Sequence, residues 1–278
     1  MNIYRKTSNE IQLRLKVEEN EVNKEIYFLD NLEMHDNLRK LDEKNTELYI
    51  NYMKYKYKKF FIPEKEGIYD VLIKFKNHYM INCGRMFFEC TNIISIDLSA
   101  LETKDIINLE FMFYRCSNLI YINFYLFNTP YANTMKGMFS SCFKLKNIDL
   151  SHFNTRNVKS MEYMFNFCNN LVSLDLSSFN TENLIDISNM FEGCKNLISI
   201  NLSSFNTQKV NKMYSTFLEC INLSNLDLSS FEFNDEIDIS LIFWGCDNLR
   251  EIKIKKNSED IIIKKGYINF DLTKLIII

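Results

Sequence analysis

The amino-acid sequence predicts an α/β solenoid in which seven turns of about 26 residues each place a helix and a short strand around one hydrophobic core. Two columns of residues predict it. Seven of the eight cysteines recur every 26 residues from Cys90 to Cys246, and seven phenylalanines recur at the same interval from Phe87 to Phe243. Two residue types in phase over seven turns indicate an internal repeat, and a repeat of this length is typical of stacked solenoids.

Residues 157–181, NVKSMEYMFNFCNNLVSLDLSSFNT, form one complete repeat. Its first half carries apolar side chains at the three- and four-residue spacing of one helix face. These are Val158, Met161, Met164, Phe165, Cys168 and Leu171. Its second half alternates apolar and polar residues through Leu174 and Leu176, which is typical of a short strand. Each repeat is therefore predicted to be a helix, a tight turn, a strand and a Phe-anchored loop.

This repeat resembles that of the BspA-like leucine-rich-repeat family, which has the form MFxxCxxLxxLDLSxFNTxxVxxM. Residues 164–190 and 190–213 match it nearly throughout, and the resemblance covers roughly residues 83–255. It implies a curved, leucine-rich-repeat-type solenoid with a parallel β-sheet on the concave face. It also implies a role in adhesion or protein binding, often at the surface of bacterial or protist cells.

The two ends of the chain lack the 26-residue period, as the atypical caps of a solenoid do. Residues 1–80 are predicted to be a small β-rich N-terminal cap domain, residues 81–256 the solenoid, and residues 257–278 a C-terminal capping segment. Strand-like alternation supports the first assignment at Ile11, Leu13, Leu15, Val17, Val71, Ile73 and Phe75. A short helix is predicted near Asp36 to Leu41, and an apolar strand within residues 267–278 should cover the last repeat.

The overall charge and hydropathy restrict the classes of partner. A formal net charge of −3 and a pI near 5.8 argue against nucleic acid. The sequence shows no apolar run long enough for a signal peptide or a membrane span, which predicts a cytoplasmic protein. The family resemblance gives the alternative of a cell-surface or secreted protein.

The sequence predicts no enzymatic chemistry, no cofactor and no metal site. The cysteine column could be a metal array, a disulfide framework or core packing, but zinc sites need closely spaced ligand pairs. No CxxC pair exists, and His35, His78 and His152 are scattered. His152 stands where other repeats carry Ser, so a tolerated loop substitution explains it better than a catalytic base does. Nor is there a GxGxxG or P-loop motif, so buried core thiols are the favoured interpretation.

The outward side chains of the predicted strands are the candidate binding residues. One row of them carries Asp or Asn in the first six turns, and the second repeat adds two tyrosines where most other repeats carry Ser or Asn. The candidate ligand-binding residues are Tyr121, Asn123, Tyr125, Asp149, Asp175, Asn201 and Asp227. The Asp and Ser side chains at the strand ends could instead bond to loop backbone N–H groups and terminate each strand. The tyrosines could instead pack beneath the N-terminal domain.

These observations predict a non-enzymatic protein-binding module that acts through the concave face of the solenoid. The partner would be a protein or peptide, and the chain itself is expected to be a monomer without a membrane span. The alternative is a structural, self-assembling or adhesion protein at a cell surface. Light scattering distinguishes the two, because self-assembly gives oligomers whose size depends on concentration.

Overall fold

The computed structural model describes residues 9–30, 38–76, 82–266 and 275–278. The strands are β1 Glu10–Val17, β2 Ile26–Tyr27, β3 Thr46–Ile50, β4 Met53–Tyr55, β5 Phe60–Phe61, β6 Gly67–Phe75, β7 Ile93–Asp97, β8 Tyr121–Asn123, β9 Ser173–Asp175, β10 Ser199–Asn201, β11 Asn225–Asp227, β12 Glu251–Ile254 and β13 Leu275–Ile277. Helical segments are the 3-10 turns Glu19–Glu21, Leu38–Lys40 and Lys256–Ser258 and the α-helix α1, Glu259–Lys265. The described residues form a β-solenoid of about seven coils with few helices.

The N-terminal sheet continues directly into the solenoid. Strand β1 pairs antiparallel with β6 on one side and with β7, the first solenoid strand, on the other, giving the order β4-β3-β6-β1-β7-β8. The alternating residues of β1, from Ile11 to Val17, point into the core as the sequence predicts. The domain boundary at residue 80 stays a prediction, because residues 77–81 lie outside the described residues.

Successive coils stack the same residue types on one another. The rings of the Phe87 to Phe243 column lie parallel, with centroids 5.3 to 6.0 Å apart. Parallel bridges join each coil to the next without a break from Asn82 to Asp238. The predicted constant pitch is therefore confirmed, and the aromatic column forms the centre of a continuous core.

The predicted helix in the first half of each repeat is wrong: residues 157–171 form turns instead. The backbone enters the left-handed region at Tyr163 (φ 58°) and again at Phe167 (φ 56°), and equivalent pairs four residues apart recur in every coil. Alternate N–H groups consequently point along the solenoid axis. Those of Tyr163, Phe165 and Phe167 donate to carbonyl oxygens of the next coil, at Ser188, Met190 and Glu192.

The intervening N–H groups bond within the coil, three residues back, as Met164 does to Met161 and Cys168 does to Phe165. This conformation buries the same residues that a helix would, because each short turn also returns the chain to the core after three or four positions. An α-helix would use every one of these N–H groups internally and leave none to join the coils. Apolar spacing alone therefore does not distinguish the two conformations.

The parallel sheet predicted on one face is present in three pieces. Strands β7 and β8 belong to the six-stranded sheet, β9 pairs with β10, and β11 pairs with β12 and β13. Each solenoid strand from β8 to β11 has only three residues, and the third coil has no strand at residues 147–149. The bridges from Asn82 to Asp238, on another side of the coil, supply the unbroken connection between the coils.

A column of buried threonines forms a third connection between coils. The Oγ1 of Thr155 donates to the carbonyl oxygen of Asn180 in the next coil at 2.8 Å and accepts from the N–H of the same residue at 2.8 Å. Thr129, Thr181 and Thr207 make the same pair of bonds. The Thr of the FNT motif thus holds the loops in register.

The apolar strand predicted within residues 267–278 corresponds to β13, while the assignment of residues 257–278 as a capping segment stays a prediction. Strand β13 pairs parallel with β12 and places Leu275 beside Ile252. Residues 267–274 lie outside the described residues. The helix predicted near Asp36 to Leu41 corresponds to the 3-10 turn Leu38–Lys40, while Asp36 itself is not described.

Replacing Gly137 with Ala is expected to destabilise the protein by about 2 to 3 kcal/mol. Gly137 has a φ of 59°, and a Cβ atom there would lie 2.1 Å from Cε1 of Phe111 in the preceding coil. Other coils tolerate side chains at this left-handed position, for example Tyr163. The cost should therefore combine the strain of an alanine in the left-handed region with the displacement of the Phe111 ring. Urea unfolding of the variant measures it.

Gly245 provides the matched control for this effect. Its φ is 75°, but the nearest atoms to an added Cβ lie at 3.3 Å. Gly245→Ala should cost less than Gly137→Ala because it carries mainly the backbone strain, and adding Phe111→Ala should remove the part of the Gly137→Ala penalty that the ring causes. If the costs of Gly137→Ala and Phe111→Ala simply added in the double variant, the Phe111 ring would not be the source of that part of the penalty.

Candidate binding surface on the outward sheet face

The outward Asp and Asn side chains close the turn that follows each strand from β7 to β11, and Asp149 closes the equivalent turn of the third coil. In every case Oδ1 accepts a hydrogen bond from the backbone N–H two residues later, as Asp149 does from Ser151 at 2.9 Å. The other pairs are Asp97–Ser99, Asn123–Tyr125, Asp175–Ser177, Asn201–Ser203 and Asp227–Ser229. Asp and Asn accept this bond equally well, so Oδ1 has the structural role of closing the turn. Oδ2 of each aspartate is left for other contacts.

The remaining oxygens differ from coil to coil. Oδ2 of Asp97 accepts from Nδ2 of Asn123 at 3.1 Å, and Oδ2 of Asp227 lies 3.4 Å from Nζ of Lys253. Asp149 and Asp175 are exposed. The backbone N–H of the following serine lowers the pKa of both carboxyl groups, so both are anionic at neutral pH.

Of the two tyrosines expected on one strand, Tyr121 begins β8 and Tyr125 lies in the turn after it, and both are exposed. The exposed fraction is 58% for Tyr121 and 59% for Tyr125, while Asn123 between them is half-buried. Because β1 lies edge to edge with β7, the N-terminal sheet does not cover these tyrosines. The ring of Tyr125 meets the ring of His152 edge-on at 5.4 Å. His152 therefore contributes an aromatic contact on this face.

Three adjoining concavities run along this face and share lining residues. The first, of 370 Å³, lies over β3, β6 and β1, and the second, of 320 Å³, over β1, β6, β7 and β8. They have Arg14 and Asp70 in common, and the second shares Tyr121 with the third, of 410 Å³, which reaches His152. Together they form one groove, here called the sheet groove, from Tyr52 to His152.

The N-terminal half of the sheet groove was not predicted from the sequence. Gln12, Arg14, Tyr49 and Tyr52 line it, and Tyr52, in the turn after β3, is 88% exposed. The alternation along β1 and β3 marks Gln12, Arg14 and Tyr49 as outward-facing, so that signal was available. Their position beside Tyr121 depends on the pairing of β1 with β7, which brings together residues about 80 positions apart in sequence. Of the predicted residues, the groove includes Tyr121, Asn123, Tyr125 and Asp149; Asp175, Asn201 and Asp227 lie on later coils.

The eight cysteines are free and buried, as expected for core thiols. Burial raises the pKa of seven of these thiols, to about 12 for Cys83, Cys194 and Cys246. Each thiol from Cys116 onward also donates a hydrogen bond to the carbonyl oxygen of the phenylalanine in the preceding coil, at 3.0 to 3.2 Å. The column therefore connects coils as well as filling space.

The described residues contain no group of three or more His, Cys, Asp or Glu side chains placed to hold a metal ion. In the same part of the chain, every helix is too short or too polar to cross a bilayer. Neither finding identifies a function for the sheet groove.

One family model matches the chain. It is described as Mycoplasma protein of unknown function, DUF285, and it matches residues 81–197 and again residues 167–263. The two matches overlap and together span the solenoid. No curated protein matches the chain.

Proposed function

The chain belongs to the family described as Mycoplasma protein of unknown function, DUF285, and we propose that it is a non-enzymatic protein-binding module. One observation supports the proposal: Tyr121 at the start of β8 and Tyr125 in the turn after it both lie exposed in a groove that several strands line. Tyrosine combines a large apolar ring with a hydrogen-bonding hydroxyl and few rotatable bonds. For these reasons it is enriched at protein interfaces.

The likeness of the repeat to the BspA-like leucine-rich-repeat family supports the same function. We propose that the coils are a variant of the leucine-rich-repeat type in which left-handed turns replace the helix. In such a protein the outward face of the sheet is rigid, because stacked coils hold each strand from both sides. A rigid face limits the conformational entropy lost on binding.

The replacement of both tyrosines by serine is expected to weaken binding at least tenfold and leave the fold intact. Ser occupies the position of Tyr121 in Ser95, Ser173 and Ser199, so the solenoid accepts it there. Twelve-residue peptides would first be selected from a displayed random library against the wild-type chain. Their affinity for the Tyr121→Ser/Tyr125→Ser variant should then fall at least tenfold, since interface tyrosines each contribute about 1 to 2 kcal/mol or more.

Tyr131 provides the matched control, because it is 60% exposed but lies outside the sheet groove. Tyr131→Ser should leave the affinity for the peptides unchanged. A selection that yields no tyrosine-dependent peptide, together with concentration-dependent oligomers in light scattering, would favour the self-assembling alternative instead.

A further inference from the structure

We propose that the sheet groove binds an extended peptide segment whose basic side chains lie against the solenoid half of the groove. This inference rests on the proposed function and specifies the chemistry of the partner. Its basis is the placement of charges and rings along the groove and on the coil beyond it.

Three carboxylates on this face have no cationic side chain as an ion-pair partner among the described residues. They are Asp97, Asp149 and Asp175, on the first, third and fourth coils. Each uses Oδ1 for its strand-ending bond. Lys146, exposed on the third coil, forms no ion pair with Asp149. The solenoid half of the groove therefore carries negative charge that no ion pair among the described residues neutralises.

The cations of the N-terminal half are already paired. Arg14 lies 2.9 Å from Asp70, Lys74 lies 3.7 Å from Glu10 and Lys54 lies 3.1 Å from Glu47. These pairs leave little positive charge there to attract an acidic ligand or to neutralise the aspartates. Charge complementarity thus favours a partner with lysine or arginine at one end of its bound segment.

The exposed tyrosines lie between two of these carboxylates. Tyr121 and Tyr125 belong to the second coil, with Asp97 on the coil before and Asp149 on the coil after. Neighbouring strands lie about 4.8 Å apart, so Asp97 and Asp149 are separated by about 10 Å. An ammonium or guanidinium group in that interval can approach a tyrosine ring face and a carboxylate together, which combines a cation–π contact with an ion pair.

The length of the groove indicates an extended segment. It crosses β3, β6, β1, β7 and β8 and reaches the third coil. Five strand spacings correspond to about 24 Å, the span of about seven residues of extended chain. A single side chain or a small molecule would fill only one of the three concavities.

The charge can be removed without removing the strand-ending bond. Asn123 and Asn201 make the same bond in their own coils, so Asn is expected to replace Asp there. At Asp97 the exchange also removes the bond that Oδ2 accepts from Nδ2 of Asn123, so urea unfolding of the variant is measured beside binding. The test variant is therefore Asp97→Asn/Asp149→Asn/Asp175→Asn. The control is Glu182→Gln, which removes an exposed carboxylate from a loop outside the groove.

The probes are synthetic copies of the peptides selected on the wild-type chain, with binding measured by fluorescence anisotropy. We expect these peptides to be enriched in Lys and Arg, and their affinity to fall at least tenfold in the triple variant and not in Glu182→Gln. Their affinity should also fall as salt rises, because exposed charges are screened.

Two results would overturn the inference. Tyrosine-dependent peptides that carry no basic excess, or that bind the triple variant as tightly as the wild type, would show a peptide groove of different specificity and leave the proposed function standing. Binding of cellohexaose that requires the tyrosines, with no peptide selected, would assign the groove to a glycan and reject both proposals.

Discussion

Raising the pH from 9 to 12 is expected to unfold the solenoid. The ordinary pKa of a thiol is about 9.0, and burial raises the pKa of seven of the cysteines in the folded chain. They are Cys83, Cys116, Cys142, Cys168, Cys194, Cys220 and Cys246. Between the two pKa values the unfolded chain loses thiol protons that the folded chain keeps. The contribution of the thiols to the free energy of unfolding is therefore complete below pH 9 and falls as the pH rises above it.

The expected loss is large because the effects add. Each thiol removes about 1.4 kcal/mol of stability per pH unit in that window. Several thiols together would exhaust the roughly 5 to 15 kcal/mol of a typical domain within one or two pH units. Urea unfolding at a series of pH values, with excess reductant, measures the slope.

A variant with Cys142→Ala and Cys168→Ala separates the thiols from other groups that titrate in the same range. Lysines and tyrosines are common to both proteins, so the difference between the slopes belongs to the two thiols. The variant should start less stable at pH 7 but lose stability less steeply, by about 3 kcal/mol per pH unit. Equal slopes of unfolding free energy against pH in the two proteins would show that the cysteine column does not determine the pH at which the solenoid unfolds.

Replacing Phe165 with Ala is expected to cost about 3 to 5 kcal/mol, among the largest single effects in the chain. Phe165 is fully buried at the middle of the aromatic column, with ring centroids of its neighbours Phe139 and Phe191 at 5.5 and 5.8 Å. The rigid coils on both sides cannot collapse into the cavity. Urea unfolding at pH 7 measures the loss.

Phe143→Ala is the control, because Phe143 is 41% exposed and belongs to the same kind of coil. It should cost about 1 kcal/mol or less, as surface substitutions do. Phe165→Leu should fall between the two, since leucine fills much of the space. Similar costs for Phe165→Ala and Phe143→Ala would mean that the column is not the centre of the core.

The sequence alone predicts the repeat, the columns and the outward rows, because all three depend only on spacing. It does not predict the backbone of the first half of each coil. Left-handed conformations there fall on residues such as Arg85, Phe111 and Tyr163, which rarely adopt them. Only Gly137, Gly193, Gly245 and Asn189 are residue types that commonly adopt a left-handed backbone. Four such residues are too few to outweigh a helical spacing of apolar residues.

For the candidate site, the sequence identifies the residues of one coil better than the surface they share. Tyr121 and Tyr125 stand out because they depart from the repeat. Gln12 and Arg14 lie outside the repeat, so no equivalent positions exist with which to compare them. They reach the groove only through the pairing of β1 with β7. Each aspartate uses one carboxyl oxygen to accept the hydrogen bond of the backbone N–H that closes the turn. Only the structure shows which aspartates also pair with a cationic side chain, and the sequence does not.

The alternate N–H groups that point along the axis have a mechanical consequence. A force applied at the two ends of the solenoid would load these bonds between one pair of coils after another, instead of shearing a whole sheet at once. Each released coil frees 26 residues, or about 90 Å of chain. The molecule would lengthen under tension in equal steps, as an extensible tether does.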